Sequence, residues 1–398
     1  MSGGALLPLA EAQQRLLALA RPGPIIDLPL ADCLGHYLAR PLTARRRQPG
    51  ADLSAMDGYA IAWGDLPGPW RIAGESAAGR PYAATLSSGE AARISTGAIL
   101  PHGADTIMVQ EDAERSGDTL RLAGKGPPER GAHIRRAGHD FEPETLLAPA
   151  GTPVDARLIA LAAMAGHGTL PVHRRLSVAI LDTGDELVPP GAPLPTPAHI
   201  PASNGVMLAA ILAHCPVDAT LPPNVPDRID AFAHALAAQA DADIIITTGG
   251  ASVGDHDLLQ PALARLGGSV QFWRLAMRPG KPVMVAQLGQ TIVLGLPGNP
   301  VSAFVTAQVL LLPLVRTLLG ATQALPQTRE YRAGTPLPAV GSRQDFVRVQ
   351  VIEGTIHPLG NQDSGALHAL WQADALAIRP ANAPAAGIGD PIDCLMLG

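Results

Sequence analysis

Charged residues are scarce in this sequence: Asp, Glu, Lys and Arg make up 16% of its 398 residues, whereas about a quarter is usual for soluble domains. The apolar share of 47% is nevertheless that of a folded protein, which excludes a disordered chain. The net charge of -6 and the lack of a long basic run indicate no nucleic-acid partner. Because the chain is too long for one ordinary core, we expect several domains.

Cysteines and long apolar runs are also few. The three cysteines are scattered and odd in number, which argues against a disulfide framework and against a zinc site. The most apolar stretch, 301–319, is interrupted by Pro313 and Arg316, so it predicts a buried helix and not a membrane span. The first twenty residues lack a positive leading segment and carry Glu11 in a helical pattern, unlike a signal peptide. We therefore expect a cytoplasmic protein with no membrane partner.

Several familiar catalytic motifs are missing. There is no GxxxxGK[ST] and no GxGxxG, which disfavours a P-loop NTPase or an ordinary dinucleotide enzyme. There is also no HExxH. His256 stands between two aspartates, a pattern more typical of an exposed loop than of catalysis. Together with the loops, carboxylates and cations described below, these absences favour metal-assisted transfer at a phosphate centre, in which positioning and charge stabilisation dominate.

Between residues 176 and 320, short apolar runs alternate with helical patterns, as is typical of a parallel sheet covered by helices. A helix is expected to open after Pro300, and the earlier helix to be capped by Ser203 or Asn204. This region predicts a doubly wound α/β domain. Its predicted strands are 177–181, 217–221, 242–248, 282–288 and 291–296, and its predicted helices are 203–214 and 230–240.

The rest of the chain has different patterns. Glycine and proline recur every few residues before this region, with β-type stretches at 92–95 and 106–110, which predicts an irregular, mostly β inserted domain. The helical N-terminus and the helical pattern at 155–166 are interpreted as halves of one unit. Runs after residue 320 suggest a small C-terminal β domain with strands at 329–333, 346–352, 375–378 and 392–396. The predicted domains are 1–48 plus 141–174 (an N-terminal linking unit of helix and strand), 49–140 (inserted), 175–322 (α/β) and 323–398 (C-terminal).

Three polar, glycine-rich segments each follow a predicted strand of the α/β domain: DTGDEL at 182–187, GGASVGDHD at 249–257 and PGNP at 297–300. In open α/β sheets, ligands bind beyond the carboxyl ends of the strands, where glycine backbones and helix N-termini approach anions. We therefore expect the three loops to line one phosphate-binding pocket. The binding residues predicted in them are Thr183, Gly184, Asp185, Gly249, Gly250, Ser252, Gly254, Gly298 and Asn299.

The same loops carry carboxylates. Their number beside a phosphate site calls for a divalent cation, for which magnesium is the natural candidate. Function is favoured for Glu186 and Asp257, while Asp185 is equally well explained as a cap of a helix or turn. The acidic residues concerned are Asp182, Asp185, Glu186, Asp255 and Asp257.

Two cations flank a Pro-Gly turn in the segment LAMRPGKPV. Arg278 and Lys281 stand just before a predicted strand of the same sheet, and Arg274 lies four residues ahead of Arg278. Alone, they are explained nearly as well by a solvated turn, but their place beside the sheet favours contact with phosphate or another oxyanion.

Three polar residues of the irregular half stand beside glycines: Asp57 in SAMDGYA, Thr96 in ISTG and Asp140 in RRAGHD. Taken one by one, each is better explained as a side chain that caps a turn.

Seven segments together resemble one known family. SAMDGYA, ISTGAILPHGADTIMVQED, IRRAGHDF, ILDTGDEL, TTGGASVGDHD, RPGKPV and GLPGNPVSAF follow the order seen in the molybdopterin molybdotransferases, which include the C-terminal domain of gephyrin. The resemblance runs from about Leu6 to the C-terminus. The segments TGDEL, GGxSVGxxD and GLPGNP alone would indicate only the wider molybdopterin-binding α/β fold, which is shared with molybdopterin adenylyltransferases and competence-damage-like proteins. SAMDGYA with IxTGAxxPxGAD narrows it to the molybdotransferases.

The resemblance implies insertion of molybdate into adenylylated molybdopterin with release of AMP, assisted by Mg²⁺. It further implies a homodimer whose active site lies between the α/β domain of one subunit and the inserted domain of the other, with other cofactor-assembly proteins as partners. The positions that match the family's functional residues are Asp57, Thr96, Asp140, Glu186, Asp227, Asp257, Pro297, Pro300 and, more weakly, Ser364.

Roles follow from these matches as hypotheses. The expected catalytic residues are Asp57, Thr96, Asp140, Glu186 and Asp257. Three of them, Glu186, Asp257 and Asp57, are the expected Mg²⁺ ligands. Arg274, Arg278 and Lys281 are expected to bind the oxygens of molybdate and phosphate. The family often has lysines where Arg274 and Arg278 stand, so a planar guanidinium group replaces a compact ammonium group at each position.

Two alternatives stay open. An adenylyltransferase or pyrophosphatase of the same fold would release AMP without molybdate; the length of the chain and SAMDGYA argue against it. A non-catalytic scaffold would bind the pterin without releasing AMP; retention of every acidic match argues against that.

Overall fold

The computed structural model describes residues 6–250 and 258–397. The N-terminal helix, Leu9–Leu19, buries one apolar side against the long helical segment that starts at Pro300. Pro313 of that segment has no N–H to give the carbonyl of Val309, and the Gln13 side chain donates to this carbonyl instead, at 2.9 Å. The expectation that the N-terminal segment forms a single unit with the helix near 155–166 is therefore wrong for Leu9–Leu19, whereas the strands after it do join that unit. An amphipathic pattern specifies a buried face but not its partner.

A linking unit is built from segments on either side of the inserted domain. The strand Ile25–Pro29 pairs with Thr169–His173, and Leu42–Thr43 pairs with Leu146–Ala148, both antiparallel. The helix Ala156–Met164 begins after Asp155, whose carboxylate accepts from the amide of Leu158 at 2.9 Å. A shared core joins the two segments and consists of Cys33, Leu38, Leu42, Ala148, Val154, Leu158, Ala162, Leu170 and Val172. The exact domain boundaries stay a prediction.

The inserted region is a mostly antiparallel six-stranded sheet with an apolar cluster on each face. Residues 49–140, all of which the structure describes, contain no α-helix and only the short 3-10 turns Trp63–Asp65 and Gln110–Asp112. The mostly β prediction is confirmed. In spatial order the strands are Thr106–Val109, Gly58–Ile61, Glu90–Ile94, Trp70–Ser76, Thr119–Leu122 and Ala113–Ser116, and a separate pair is Leu53–Ser54 with Ile134–Arg135.

The α/β region has a six-stranded sheet with helices on both faces. Alternate residues of one central strand enter different cores: Val178 and Ile180 face the helix that follows Pro300, and Ala179 and Leu181 face Phe232. The doubly wound prediction is confirmed, and the five predicted strands lie within two residues of their expected bounds. In spatial order the strands are Val217–Thr220, Leu176–Asp182, Ile244–Thr248, Thr291–Leu296, Met284–Leu288 and Ser269–Trp273. The helices are Asn204–Leu212, Ile229–Ala238, Leu259–Arg265, Pro300–Thr306 and Leu312–Leu318, with a π-helical turn at Ala307–Leu311.

The predicted parallel sheet is antiparallel at one edge. Met284–Leu288 runs antiparallel to both of its neighbours, and Ser269–Trp273 was not predicted. Only Gly289 and Gln290 separate Met284–Leu288 from the next strand, and Gly289 has φ +61°. A two-residue loop of this kind makes a hairpin, because a parallel connection needs a crossover of a dozen or more residues.

The helical segment Pro300–Leu318 is long and apolar enough to cross a membrane by length and composition alone. In the structure, 78% of the most apolar 18-residue stretch of this segment is buried inside the fold. The prediction of a buried core helix is therefore confirmed for this segment.

The C-terminal region is a small closed sheet. Its four predicted strands are confirmed, whereas Thr355–Pro358 and the short helix Leu367–Trp371 were missed. Met277–Arg278, which precedes the region by some fifty residues, pairs with the first two residues of Gln344–Ile352 and so ties it to the α/β sheet. The strands of the closed sheet are Gln344–Ile352, Thr355–Pro358, Arg329–Ala333, Pro391–Met396 and Ala375–Arg379.

Asp243 joins the linking unit to the α/β sheet. Its carboxylate accepts two bonds from the guanidinium of Arg174, at 2.8 and 2.7 Å, and one from the amide of Ser177, at 2.8 Å. Burial acts to raise the pKa of Asp243, but the hydrogen bonds from Arg174 and Ser177 outweigh it and leave the pKa below the ordinary value of 3.8.

We expect Asp243→Asn to lower the free energy of unfolding by about 1–2 kcal/mol at pH 7. A carboxylate with a depressed folded pKa stabilises the fold above its unfolded pKa, and this contribution is lost as the pH falls through the folded pKa. The difference between the variant and the wild type should therefore shrink below pH 3.8. Urea unfolding at pH 7 and pH 3 checks this, and an equal difference at both would contradict it.

Candidate active site

A cleft of about 1140 Å³ lies between the carboxyl ends of the α/β strands and the C-terminal closed sheet. Ligand pockets of about 300–1,000 Å³ are typical, so the space suits an extended ligand. Residues from all three glycine-rich loops, from the Pro-Gly turn and from the C-terminal region line it. Of the residues predicted to bind or act, it contains Thr183, Glu186, Gly249, Gly250, Arg278, Lys281, Pro297, Gly298, Asn299, Pro300 and Ser364.

Glycine lets the loops touch one another. Gly249 has φ +93°, and a Cβ there would lie 2.9 Å from Oγ1 and 3.0 Å from the carbonyl oxygen of Thr183. A Cβ on Gly298 would lie 3.8 Å from the Cα of Gly249, so the PGNP loop lies directly beside the loop that starts at Gly249. Glycine at positions 249 and 298 therefore allows the main chains of these loops to approach each other closely.

We expect Gly249→Ala to destabilise the protein by about 2–3 kcal/mol, since it combines a left-handed backbone with a close contact. Gly267→Ala is the matched control, because Gly267 has φ +75° with open space around it and should cost only about 1 kcal/mol. Urea unfolding of both variants measures the difference, and equal losses would refute the close contact as a cause.

Asp182 is almost buried, at 7% exposure, and is fully engaged inside the protein. Its carboxylate accepts from the hydroxyl of Thr248 and, at 3.1 Å, from the amide of Gly205 in the first turn of the helix Asn204–Leu212. The Asn204 side chain then donates to the carbonyl of Gly298 at 2.7 Å. Asp182 thus holds the N-terminus of this helix at the cleft with its own carboxylate, which interacts favourably with the helix dipole.

Asp185 and Asp227 form a different contact. The Asp185 carboxylate accepts from the amide of Asp227 at 3.1 Å, and both residues are exposed. Neither they nor Gly184 belong to the cleft lining. The interpretation of Asp185 as a turn cap describes its position in the structure.

The positive side of the cleft differs from expectation in two respects. Arg278 and Lys281 line the cleft, but Arg274 does not join them, because its guanidinium stacks on the Trp273 ring at 4.4 Å from the centroid. Arg343, which sequence reasoning missed, lines the cleft in its place. Within the described chain, Arg278, Lys281 and Arg343 make no salt bridge, although the carboxyl of Asp345 lies near enough to interact with the charges of Arg278 and Arg343.

Asp345 is a half-buried cleft residue, paired with Arg278 along the adjoining strands. Burial raises the pKa of Asp345, and the nearby charges of Arg278, Arg343 and Arg379 offset this only in part. No local signal marks Arg343 or Asp345, because strand pairing alone brings them to residues more than sixty positions earlier.

The C-terminal loop at 361–365 closes against the PGNP loop. The buried guanidinium of Arg348 donates to the carbonyls of Asp363, at 2.9 Å, and Asn361, at 3.1 Å. The side-chain amide of Asn299 donates to the Ser364 hydroxyl at 2.8 Å, and the backbone N–H of Val301 donates to the Ser364 carbonyl at 3.1 Å. Ser364, the weaker sequence match, therefore lies directly on the predicted loop.

Metal ligands were expected at Glu186, Asp257 and Asp57. Glu186 is exposed in the cleft, whereas Asp257, with Ser252 and Gly254, lies outside the described residues. Among the described residues, no three acidic, histidine or cysteine side chains lie together as a metal site. Magnesium shared with phosphates needs only one or two protein carboxylates, so the chemistry of Glu186 fits such an ion.

Asp57 and Thr96 form a second cluster on the inserted domain. The amide and hydroxyl of Thr96 donate to one Asp57 oxygen, at 2.7 and 3.1 Å. These bonds, with the charge of Arg93 nearby, hold the pKa of Asp57 below its usual range. Both residues are exposed, as is Asp140, and none of the three lines the cleft.

Three regions of the chain match known family descriptions. Residues 7–166 match the MoeA N-terminal region (domain I and II), 179–317 the probable molybdopterin binding domain, and 330–397 the MoeA C-terminal region (domain IV).

Individual proteins match over nearly the whole chain. The chain is 34% identical to a molybdopterin molybdenumtransferase of Nostoc sp., over 94% of this chain and 87% of that protein. It is 35% identical to one of Haemophilus influenzae, over 80% and 79%. A solved structure, the molybdopterin biosynthesis MoeA protein from Pyrococcus horikosii, superposes with a TM-score of 0.81 at 26% identity, covering 98% of this chain and 99% of that one. The chain belongs to the molybdopterin molybdenumtransferase, or MoeA, family.

Proposed function

We propose that this protein inserts molybdate into the dithiolene of adenylylated molybdopterin and releases AMP, as a step of molybdenum cofactor biosynthesis. The observation that carries the proposal is the cleft itself, where three glycine loops meet the side chains of three cations, Arg278, Lys281 and Arg343. Backbone N–H groups and fixed cations are the groups that bind phosphate and other oxyanions. Membership of the family supports the same substrate class.

In the proposed mechanism, the chain binds and orients both anions. The loops at Thr183, Gly249 and Gly298 hold phosphate oxygens. Arg278 and Lys281 neutralise molybdate and phosphate oxygens as charge develops during transfer. Arg274 is not assigned to this step, since it stacks on Trp273.

Mg²⁺ would be held by Glu186 and Asp257, with Asp57 as a further ligand. A bound magnesium ion supplies Lewis-acid charge to phosphate oxygens at the bond that breaks. Glu186 supports this assignment because it is an exposed carboxylate within the anion-binding cleft.

The proposed assembly is a homodimer in which Asp57, Thr96 and Asp140 of one subunit complete the cleft of the other. In support, this cluster is exposed, is flanked by the apolar side chains of Met56 and Ile99 at 43% and 42% exposure, and lies outside its own cleft lining. Docking of other cofactor-assembly proteins and a cytoplasmic location are part of the same proposal. The three cysteines, all free thiols, agree with a reducing compartment.

The test is AMP release from adenylylated molybdopterin by the purified protein, with and without micromolar molybdate and with and without EDTA. We expect release only when molybdate is present and loss of release when EDTA removes Mg²⁺. Release without molybdate would indicate an adenylyltransferase or pyrophosphatase instead. Tight pterin binding without release would indicate a scaffold.

A further inference from the structure

The segment 48–57 lies between the two other segments that carry the inserted domain's candidate residues. On one side, Ser54 forms two backbone hydrogen bonds with the residues that follow Thr96. Its carbonyl accepts from the N–H of Gly97 at 2.8 Å, and its own N–H donates to the carbonyl of Ala98 at 2.9 Å. On the other side, the amide of Asp140 donates to the carbonyl of Gln48 at 2.9 Å. The relative placement of Asp57, Thr96 and Asp140 therefore depends on this central segment.

Asp52 contacts both neighbours of that segment at once. One carboxylate oxygen accepts from the guanidinium of Arg136 at 2.6 Å, and the other accepts from the amide of Ala137 at 2.8 Å. Its carbonyl oxygen accepts from the amide of Leu100 at 2.9 Å. The bonds to Arg136 and Ala137 hold the start of the turn that leads to Asp140.

We propose that Asp52 is a positioning residue for the proposed transfer reaction: it fixes the turn at 136–140 beside Asp57 and Thr96 without touching substrate. The proposal rests on the proposed function for its role in catalysis. The side chain reaches a backbone amide as well as a guanidinium, so it fixes main chain and not only another side chain. A one-ångström shift of such a cluster is enough to cost a large factor in rate.

Asp105 offers a matched control in the same domain. Its carboxylate also accepts from one arginine, Arg130 at 2.6 Å, and from one backbone amide, that of Trp63 at 2.7 Å, with a further bond from the hydroxyl of Thr106 at 3.1 Å. The exposure of the two ion pairs is similar, at 58% and 31% for Arg136 and Asp52 against 72% and 30% for Arg130 and Asp105. Asp105, however, anchors the turn at 63–65, which carries none of the candidate residues.

The experiment compares Asp52→Asn with Asp105→Asn in the full-length protein. Both variants should unfold at similar temperatures, since each replaces the carboxylate of one arginine ion pair by a neutral amide. In steady-state AMP release, Asp52→Asn should lower kcat at least about tenfold with the molybdate KM within about twofold, because the cations that bind molybdate lie in the cleft. Asp105→Asn should keep kcat within about twofold. Asp52→Glu, which retains the charge, should recover part of the loss.

Hydrogen exchange gives a second measurement that needs no activity. The amides of Ala137, His139 and Asp140 should exchange faster in Asp52→Asn and unchanged in Asp105→Asn. Unchanged exchange, or faster exchange with an unchanged kcat, would overturn the proposal. An inactive wild type would refute the proposed function instead, and exchange would then decide alone whether Asp52 fixes the turn. If Asp52→Asn does not fold, Arg136→Met removes the ion pair alone and must show the same pattern to a smaller degree.

Discussion

Asp57→Asn is expected to lower the kcat of molybdate-dependent AMP release at least about 100-fold, the scale associated with loss of a catalytic charge or proton carrier. Asparagine keeps an oxygen to accept the bonds from Thr96, so the exchange removes the negative charge and little else. Because Asp57 is fully exposed and asparagine can still accept from Thr96, the exchange should leave the protein folded. Glu186→Gln should have an effect of the same size, from the opposite side of the proposed shared site.

Thermal unfolding of both variants is the necessary control, since a lower melting temperature would make the rate loss ambiguous. Thr96→Val is a useful companion, because it removes one of the two bonds to Asp57 and leaves the amide bond in place. We expect a smaller loss there, about tenfold. Wild-type rates in both Asp57→Asn and Glu186→Gln would remove these residues from the mechanism.

Mixing the two inactive variants should restore activity. If Asp57 of one subunit completes the cleft of the other, a mixed dimer of Asp57→Asn and Glu186→Gln chains contains one wholly wild-type site and one doubly altered site. Random reassortment makes half of the dimers mixed, so about a quarter of the wild-type activity should return. The measurement is AMP release after the two variants are unfolded together and refolded, or coexpressed with different tags.

The control is the double variant Asp57→Asn/Glu186→Gln mixed with wild type. Every mixed dimer then has one altered residue at each site, so activity per wild-type chain should fall to about half. No recovery in the first mixture and no fall in the second would place each active site within a single chain, contrary to the proposed assembly.

Local sequence patterns predicted the part of the cleft that is formed by loops directly after buried strands. A glycine that follows a buried strand marks the carboxyl end of that strand, and parallel neighbours bring such ends to one edge. Thr183, Gly249 and Gly298 lie together in the structure for this reason. The hairpin at Gly289 carried an equally local signal, a two-residue loop, which the expectation of a parallel sheet overlooked.

Long-range contacts were not predictable in the same way. Arg343 and Asp345 reach the cleft through a two-residue pairing with Met277–Arg278, too short to leave a pattern. Arg274 leaves the cation group because its ring contact with Trp273 competes with the cleft. The N-terminal helix packs on a proline-interrupted helix nearly three hundred residues away, where Gln13 supplies a missing donor.

By itself the sequence determined the doubly wound region, the loops that end its strands and the family resemblance, since these depend on periodicity, glycine placement and motif order within short stretches. Only the tertiary structure decided which cations face the cleft, that Asp182 is committed to a helix N-terminus, and that Asp57 and Thr96 form a cluster outside the cleft lining. Those outcomes depend on which distant surfaces meet, and the free energy of that choice is spread over many contacts that no single segment encodes.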